Sequence, residues 1–163
     1  LIVVSFRKLL TTITAFTLAH SITLALATLG VLNVPGPPVE AIIALSIVFV
    51  ASEVLRARAG HPTIASRKPW LVAFSFGLLH GLGFAGALAE VGLPANAVPV
   101  ALLFFNVGVE IGQILFVIAV ATVVWLVRRL VGEHRLWREA PVAVTYAIGI
   151  IASYWVVERV AGF

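Results

Sequence analysis

Long apolar runs, broken by short clusters of proline, glycine and charge, dominate the chain. A helix that crosses a bilayer needs roughly 20 apolar residues. Five stretches meet that length or approach it: 9–32, 39–55, 70–91, 98–127 and 142–161. The fourth is long enough to tilt or overhang the membrane. Breakers mark the boundaries. Asn33, Pro35, Gly36, Pro37 and Pro38 form the first turn, Gly60 and Pro62 the second, and Gly92 and Pro94 the third. Pro141 is expected to open the fifth helix, where its missing N–H costs nothing. The runs are apolar on all sides and too long for the alternating strands of a barrel. Helices are therefore the form that satisfies every backbone group in lipid. The expected fold is an all-α, polytopic transmembrane helix bundle with five spans, forming one domain over residues 1–163.

Composition agrees. Of the 163 residues 61% are apolar and 11% charged, against roughly 45–50% and about 25% in soluble domains. Mean hydropathy is +1.12. The isoelectric point near 10.4 does not signal nucleic acid, because most of the chain cannot face water. Instead, the basic residues set an orientation. Arg7 and Lys8 precede the first span, four basic residues lie between the second and third, and four between the fourth and fifth. All ten fall on one side, and of the eleven only Arg159 lies on the other. The positive-inside rule makes the ten-residue side cytoplasmic. The expected location is the cytoplasmic membrane, with the residue 1 end inside and the C-terminus outside. The chain has no Cys and no Met. It therefore carries no disulfide and none of the soft ligands that select Cu(I). The missing Met also suggests a further span upstream.

Polar groups at mid-membrane are costly and by default functional, at about 2.5–3.5 kcal/mol for a charged one. His20 lies midway along the first span, His80 midway along the third, and Glu110 near the middle of the fourth. Asn106, Glu110 and Gln113 share one helical face, while Gly108 and Gly112 form a smooth pair on another. Gly77 and Gly81 form a second such pair. Thr17 and Thr23 flank His20, where their hydroxyls can fix an imidazole tautomer. Glu53 is one turn from Arg56 and reads as half of an interfacial ion pair. His61 and His134 read as solvated loop residues. Imidazole, carboxylate and carboxamide together suit Ni²⁺, Co²⁺ or Zn²⁺, and a midplane carboxyl can exchange a proton for a metal ion. No nucleophile–base arrangement of a hydrolase is visible, so no enzyme activity is expected. The candidate metal residues are His20, His80, Glu110, Asn106 and Gln113, predicted to face a common interior.

Three stretches carry a resemblance. Residues 16–21 read FTLAHS, residues 76–85 FGLLHGLGFA, and residues 105–113 FNVGVEIGQ. They resemble, in order, three signature segments of the HupE/UreJ family of hydrogenase and urease accessory membrane proteins. The resemblance implies a six-helix membrane protein described as a nickel or cobalt permease. It also implies an upstream helix with an H-x-x-x-G-x-D-H-type motif, which this sequence lacks. The expected function is thus a divalent-metal permease of the nickel or cobalt type, its metal path lined by the midplane residues. Its partners are the bilayer and the metal ion, with no nucleic acid, and the chain can assemble as a homo-oligomer or within a larger complex. Two alternatives stay open. One is a non-catalytic accessory subunit of a larger membrane complex. The other is a haem protein with His20 and His80 as axial ligands, the small residues around His80 leaving room for the macrocycle.

Overall fold

The computed structural model describes residues 5–90, 94, 96–131 and 136–162. Six helices follow one another: α1 (Phe6–Thr28), α2 (Gly36–Arg58), α3 (Ile64–Arg67), α4 (Pro69–Glu90), α5 (Val98–Val131) and α6 (Leu136–Ala161). No strand occurs among the described residues. Four of the helices, α1, α2, α5 and α6, are long and apolar enough to cross a membrane. Helix α4 covers the third expected span with 22 residues, and its apolar part, Pro69–Phe84, is shorter. The all-α membrane bundle is thus the fold. Helix α5 has 34 residues, about 51 Å of rise, so it tilts or projects beyond a hydrocarbon core of about 30 Å.

Local chemistry explains most boundaries. Gly30 and Gly60 follow the last turns of α1 and α2 with φ of 74° and 86°. Only glycine enters that left-handed region without penalty, and it lets the chain leave the helix. Gly36 opens α2, with proline in its first turn. Two expectations are corrected. Pro141 lies inside α6, which begins at Leu136. The polar residues before Pro141 read as loop, yet they form the first turn of the helix, and the proline is carried within it. Glu53 does not pair with Arg56. Its carboxylate is buried and accepts the backbone N–H of Ala65 at 2.9 Å. That contact pins α3, a short helix that hydropathy did not reveal. Thr63 and Ser66 complete a reciprocal cap on the same turn.

Among the described residues the helices touch in the order α5–α1–α4–α2–α6, with α3 wedged between α2 and α4. The closest approach is α1 on α4. Gly77 and Gly81 are buried there. A Cβ on Gly77 would overlap the Phe16 carbonyl oxygen, and one on Gly81 would overlap the His20 carbonyl oxygen and the Thr23 hydroxyl. The second small-residue contact joins α2 to α6 through Ala51 and Gly149. At one end of this pair, Arg159 bridges to Glu40 at 3.0 Å. The outward faces of α5 and α6 carry exposed large apolar side chains, including Phe104, Phe116 and Ile150, as lipid-facing helices should.

Candidate functional site

Helix α1 is the hub of the polar interior because two of its faces are used at once. Thr14 and Thr17 meet α5, while Phe16, Ala19, His20 and Thr23 meet α4. The glycines of α4 let the two backbones close together, and this seats His20 deep between them.

His20 is 2% exposed, and neither ring nitrogen has a hydrogen-bond partner. Its ring lies between two phenyl rings, Phe16 at 5.9 Å and Phe105 at 6.2 Å, both near parallel, with Phe84 edge-on at 5.5 Å. The expected support from threonine hydroxyls is absent. Thr23 donates back to the carbonyls of Ala19 and His20, the usual habit of a threonine inside a helix, and Thr17 points to Gln113. Buried polar groups nearly always find partners, and leaving one bare costs about 1–3 kcal/mol. An imidazole held this way keeps one lone pair and one N–H available to a guest.

His80 is half-buried and oriented by its own helix. Its Nδ1 lies 2.8 Å from the Phe76 carbonyl oxygen. A carbonyl only accepts, so Nδ1 carries the proton and Nε2 presents its lone pair. The ring meets Phe16 edge-on at 5.3 Å. It also lines an open cavity of about 320 Å³ between α1, α2, α4 and α6, together with Phe16, Ser46, Phe76 and Thr145. The hydroxyls of Ser46 and Thr145 donate to the carbonyls of Ile43 and Pro141, which leaves the cavity wall apolar apart from the imidazole.

Helix α5 presents its polar stripe to α1, as its spacing predicts. Thr14 Oγ1 donates to Glu110 Oε1 at 2.8 Å, and Thr17 Oγ1 reaches Gln113 Oε1 at 3.5 Å, a weak contact. Asn106 is buried, its Nδ2 donates to the Leu102 carbonyl, and its Oδ1 has no partner. The other face of α5 is bare: a Cβ on Gly108 or Gly112 would meet nothing within 4 Å.

The five predicted residues therefore fall into two neighbouring arrangements that share α1. His20 and His80 both pack on the Phe16 ring, and Asn106, Glu110 and Gln113 line the α1–α5 seam. Among the described residues, no group of three or more His, Cys, Asp or Glu gathers closely enough to hold a metal ion. The space foreseen for a macrocycle at Gly77 and Gly81 is taken by the backbone of α1. His61 is exposed, and His134 lies outside the described residues. Sequence reasoning missed two contributors. Phe16 joins the two histidines, and Thr14 orients the carboxylate. A phenylalanine in an apolar run carries no signal of its own. Thr14, however, stands one turn before Thr17, and that spacing matches the Glu110–Gln113 stripe.

No curated protein and no solved structure matches the chain. The family model described as HupE / UreJ protein matches residues 1–159, nearly the whole length. With that coverage, and with the three signature segments lying on α1, α4 and α5, the chain belongs to the HupE/UreJ family.

Proposed function

We propose that the protein is a permease for a divalent transition-metal ion of the nickel or cobalt type, with His20, His80, Asn106, Glu110 and Gln113 along the metal path. Membership of the family implies a membrane protein of nickel or cobalt handling, either accessory or transporting. The observation that carries the finer reading is His20, an imidazole sealed among aromatic rings with both nitrogens unpartnered. Nearby, Asn106 offers an unpartnered buried oxygen and Glu110 a carboxylate steadied on one oxygen by Thr14. Neutral nitrogen and oxygen donors of this kind suit Ni²⁺, Co²⁺ and Zn²⁺. The ion moves between sites that are each too sparse to trap it, as conduction requires. Glu110 exchanges a proton for the ion's charge, which couples uptake to pH. The basic end of the bundle faces the cytoplasm.

The test is uptake of Ni²⁺ into vesicles holding the purified chain and a trapped indicator, with metal content measured in parallel. His20→Ala and His80→Ala should each remove most uptake while the protein stays monodisperse and helical. Among the described residues neither histidine makes a hydrogen bond to another helix, so each change removes ring packing only, and the helices on either side are held by their remaining contacts. Glu110→Gln should flatten the pH dependence of uptake more than it alters folding. Unchanged transport in all three variants would overturn the reading.

A second reading, an accessory subunit of a larger membrane complex, is favoured by the absence of a three-residue metal group among the described residues. Its mark is stable co-purification with a partner and no metal in the purified chain.

A further inference from the structure

We infer that a groove at the basic end of the bundle is a binding site for an anionic phospholipid, with one acyl chain in the groove and the headgroup at Arg67 and Lys68. The inference does not depend on the metal reading. The groove has a volume of about 210 Å³ and is lined by Phe49, Ile64, Leu71, Val72, Ser75 and Phe76. Its single hydroxyl, on Ser75, is turned back to the Leu71 carbonyl at 3.0 Å, so the surface facing an occupant is almost wholly apolar. Leu71 to Phe76 covers about 7.5 Å of helix rise, half the depth of one hydrocarbon leaflet of about 15 Å. A groove of this composition on the outside of a membrane bundle takes a lipid chain.

What sets it apart from ordinary lipid-facing surface is its mouth. Arg67 and Lys68 lie in the chain between the lining residues Ile64 and Leu71. The backbone ties them there: Lys68 N–H donates to the Ile64 carbonyl, and Leu71 N–H to the Lys68 carbonyl. The turn is rigid, since Glu53 holds Ala65 from α2 and the Thr63–Ser66 cap closes it. Both basic side chains are exposed and carry no ion pair among the described residues. The adjacent carboxylate, Glu53, is buried beneath α3 and engaged by a backbone N–H. Unneutralised positive charge at the headgroup level favours a lipid of net negative charge over a zwitterion, whose ammonium would face two cations. Trp70, half-exposed in the first turn of α4, marks the same interfacial level.

The experiment is native mass spectrometry of the full chain in neutral detergent, titrated with phosphatidylglycerol and with phosphatidylcholine. Phosphatidylglycerol should bind roughly thirtyfold more tightly, the effect of two basic residues near a charged headgroup. Arg67→Gln with Lys68→Gln should bring the two lipids close to parity, and each single change should have an intermediate effect, so the test survives if the double variant folds poorly. Arg7→Gln with Lys8→Gln, at the same end of the bundle, should leave the preference intact. Ser75→Phe, which fills the groove, should weaken both lipids alike. The proposal is overturned if the Arg7–Lys8 pair matters as much as Arg67–Lys68, if Ser75→Phe changes nothing, or if the chain-free headgroup glycerophosphoglycerol competes as well as the lipid.

Discussion

Single residues decide how closely the helices meet, and identical residue types have opposite consequences on different faces. Gly81 has the backbone of α1 against it, whereas Gly108 faces open space. Gly81→Ala should therefore lower stability by about 1–3 kcal/mol, the usual cost of overpacking. Gly108→Ala should be neutral or slightly stabilising, since alanine is favoured over glycine in a helix by roughly 0.5–1 kcal/mol. Thermal denaturation in detergent checks both, and equal midpoints for the two variants would contradict the α1–α4 packing. The same contrast separates the two histidines. His80 draws its tautomer from the Phe76 carbonyl one turn back on α4, while His20 draws nothing from its neighbours. Depth in the apolar runs was enough to single out both as candidates. It could not tell that one is anchored and the other bare, because that depends on where the flanking hydroxyls turn. The threonines beside His20 satisfy themselves on carbonyls and on α5.

At the scale of elements, α3 shows how a polar loop acquires structure. Its four residues are too few to be stable alone, since a helix nucleus is costly. It persists because Thr63 and Ser66 cap each other across the turn and Glu53 supplies an acceptor from α2. Glu53→Ala should leave the Ala65 N–H without its acceptor, at about 1–3 kcal/mol. The expected result is faster hydrogen exchange over residues 63–68, with α5 and α6 unchanged. Exchange that is uniform along the chain would show that α3 is held by something else. Helix α6 gives the converse case, with a proline carried inside the helix rather than at its start. The onset of hydropathy marks where a helix enters the apolar phase, which need not be where its backbone begins to coil.

The whole molecule is held by a chain of pairwise contacts, with α5 touching α1 and α6 touching α2 at its two ends. Such an arrangement leaves much apolar surface outward, as a solvent of lipid permits. The positive-inside rule predicts an orientation from the basic residues, ten of eleven lying on one side of the spans. Single cysteines test it cleanly because the chain has none. Gly36→Cys should react with an impermeant maleimide from outside the cell, and Arg67→Cys only after the membrane is opened. The reverse pattern would invert the bundle.

The sequence by itself determined the class of fold and the approximate spans. Hydrophobic transfer acts residue by residue along a helix, so these follow from composition and order alone. It also determined that Asn106, Glu110 and Gln113 share a face, since that is a matter of helical angle. Only the tertiary structure decided which helix that face meets, that Phe16 lies against both His20 and His80, and that Glu53 serves α3 rather than Arg56. In lipid the hydrophobic effect does not choose among helix partners. That choice falls to close packing and to a few hydrogen bonds, here Gly77 and Gly81 against α1 and Thr14 against Glu110. Such contacts join residues far apart in the chain, beyond the reach of any local pattern.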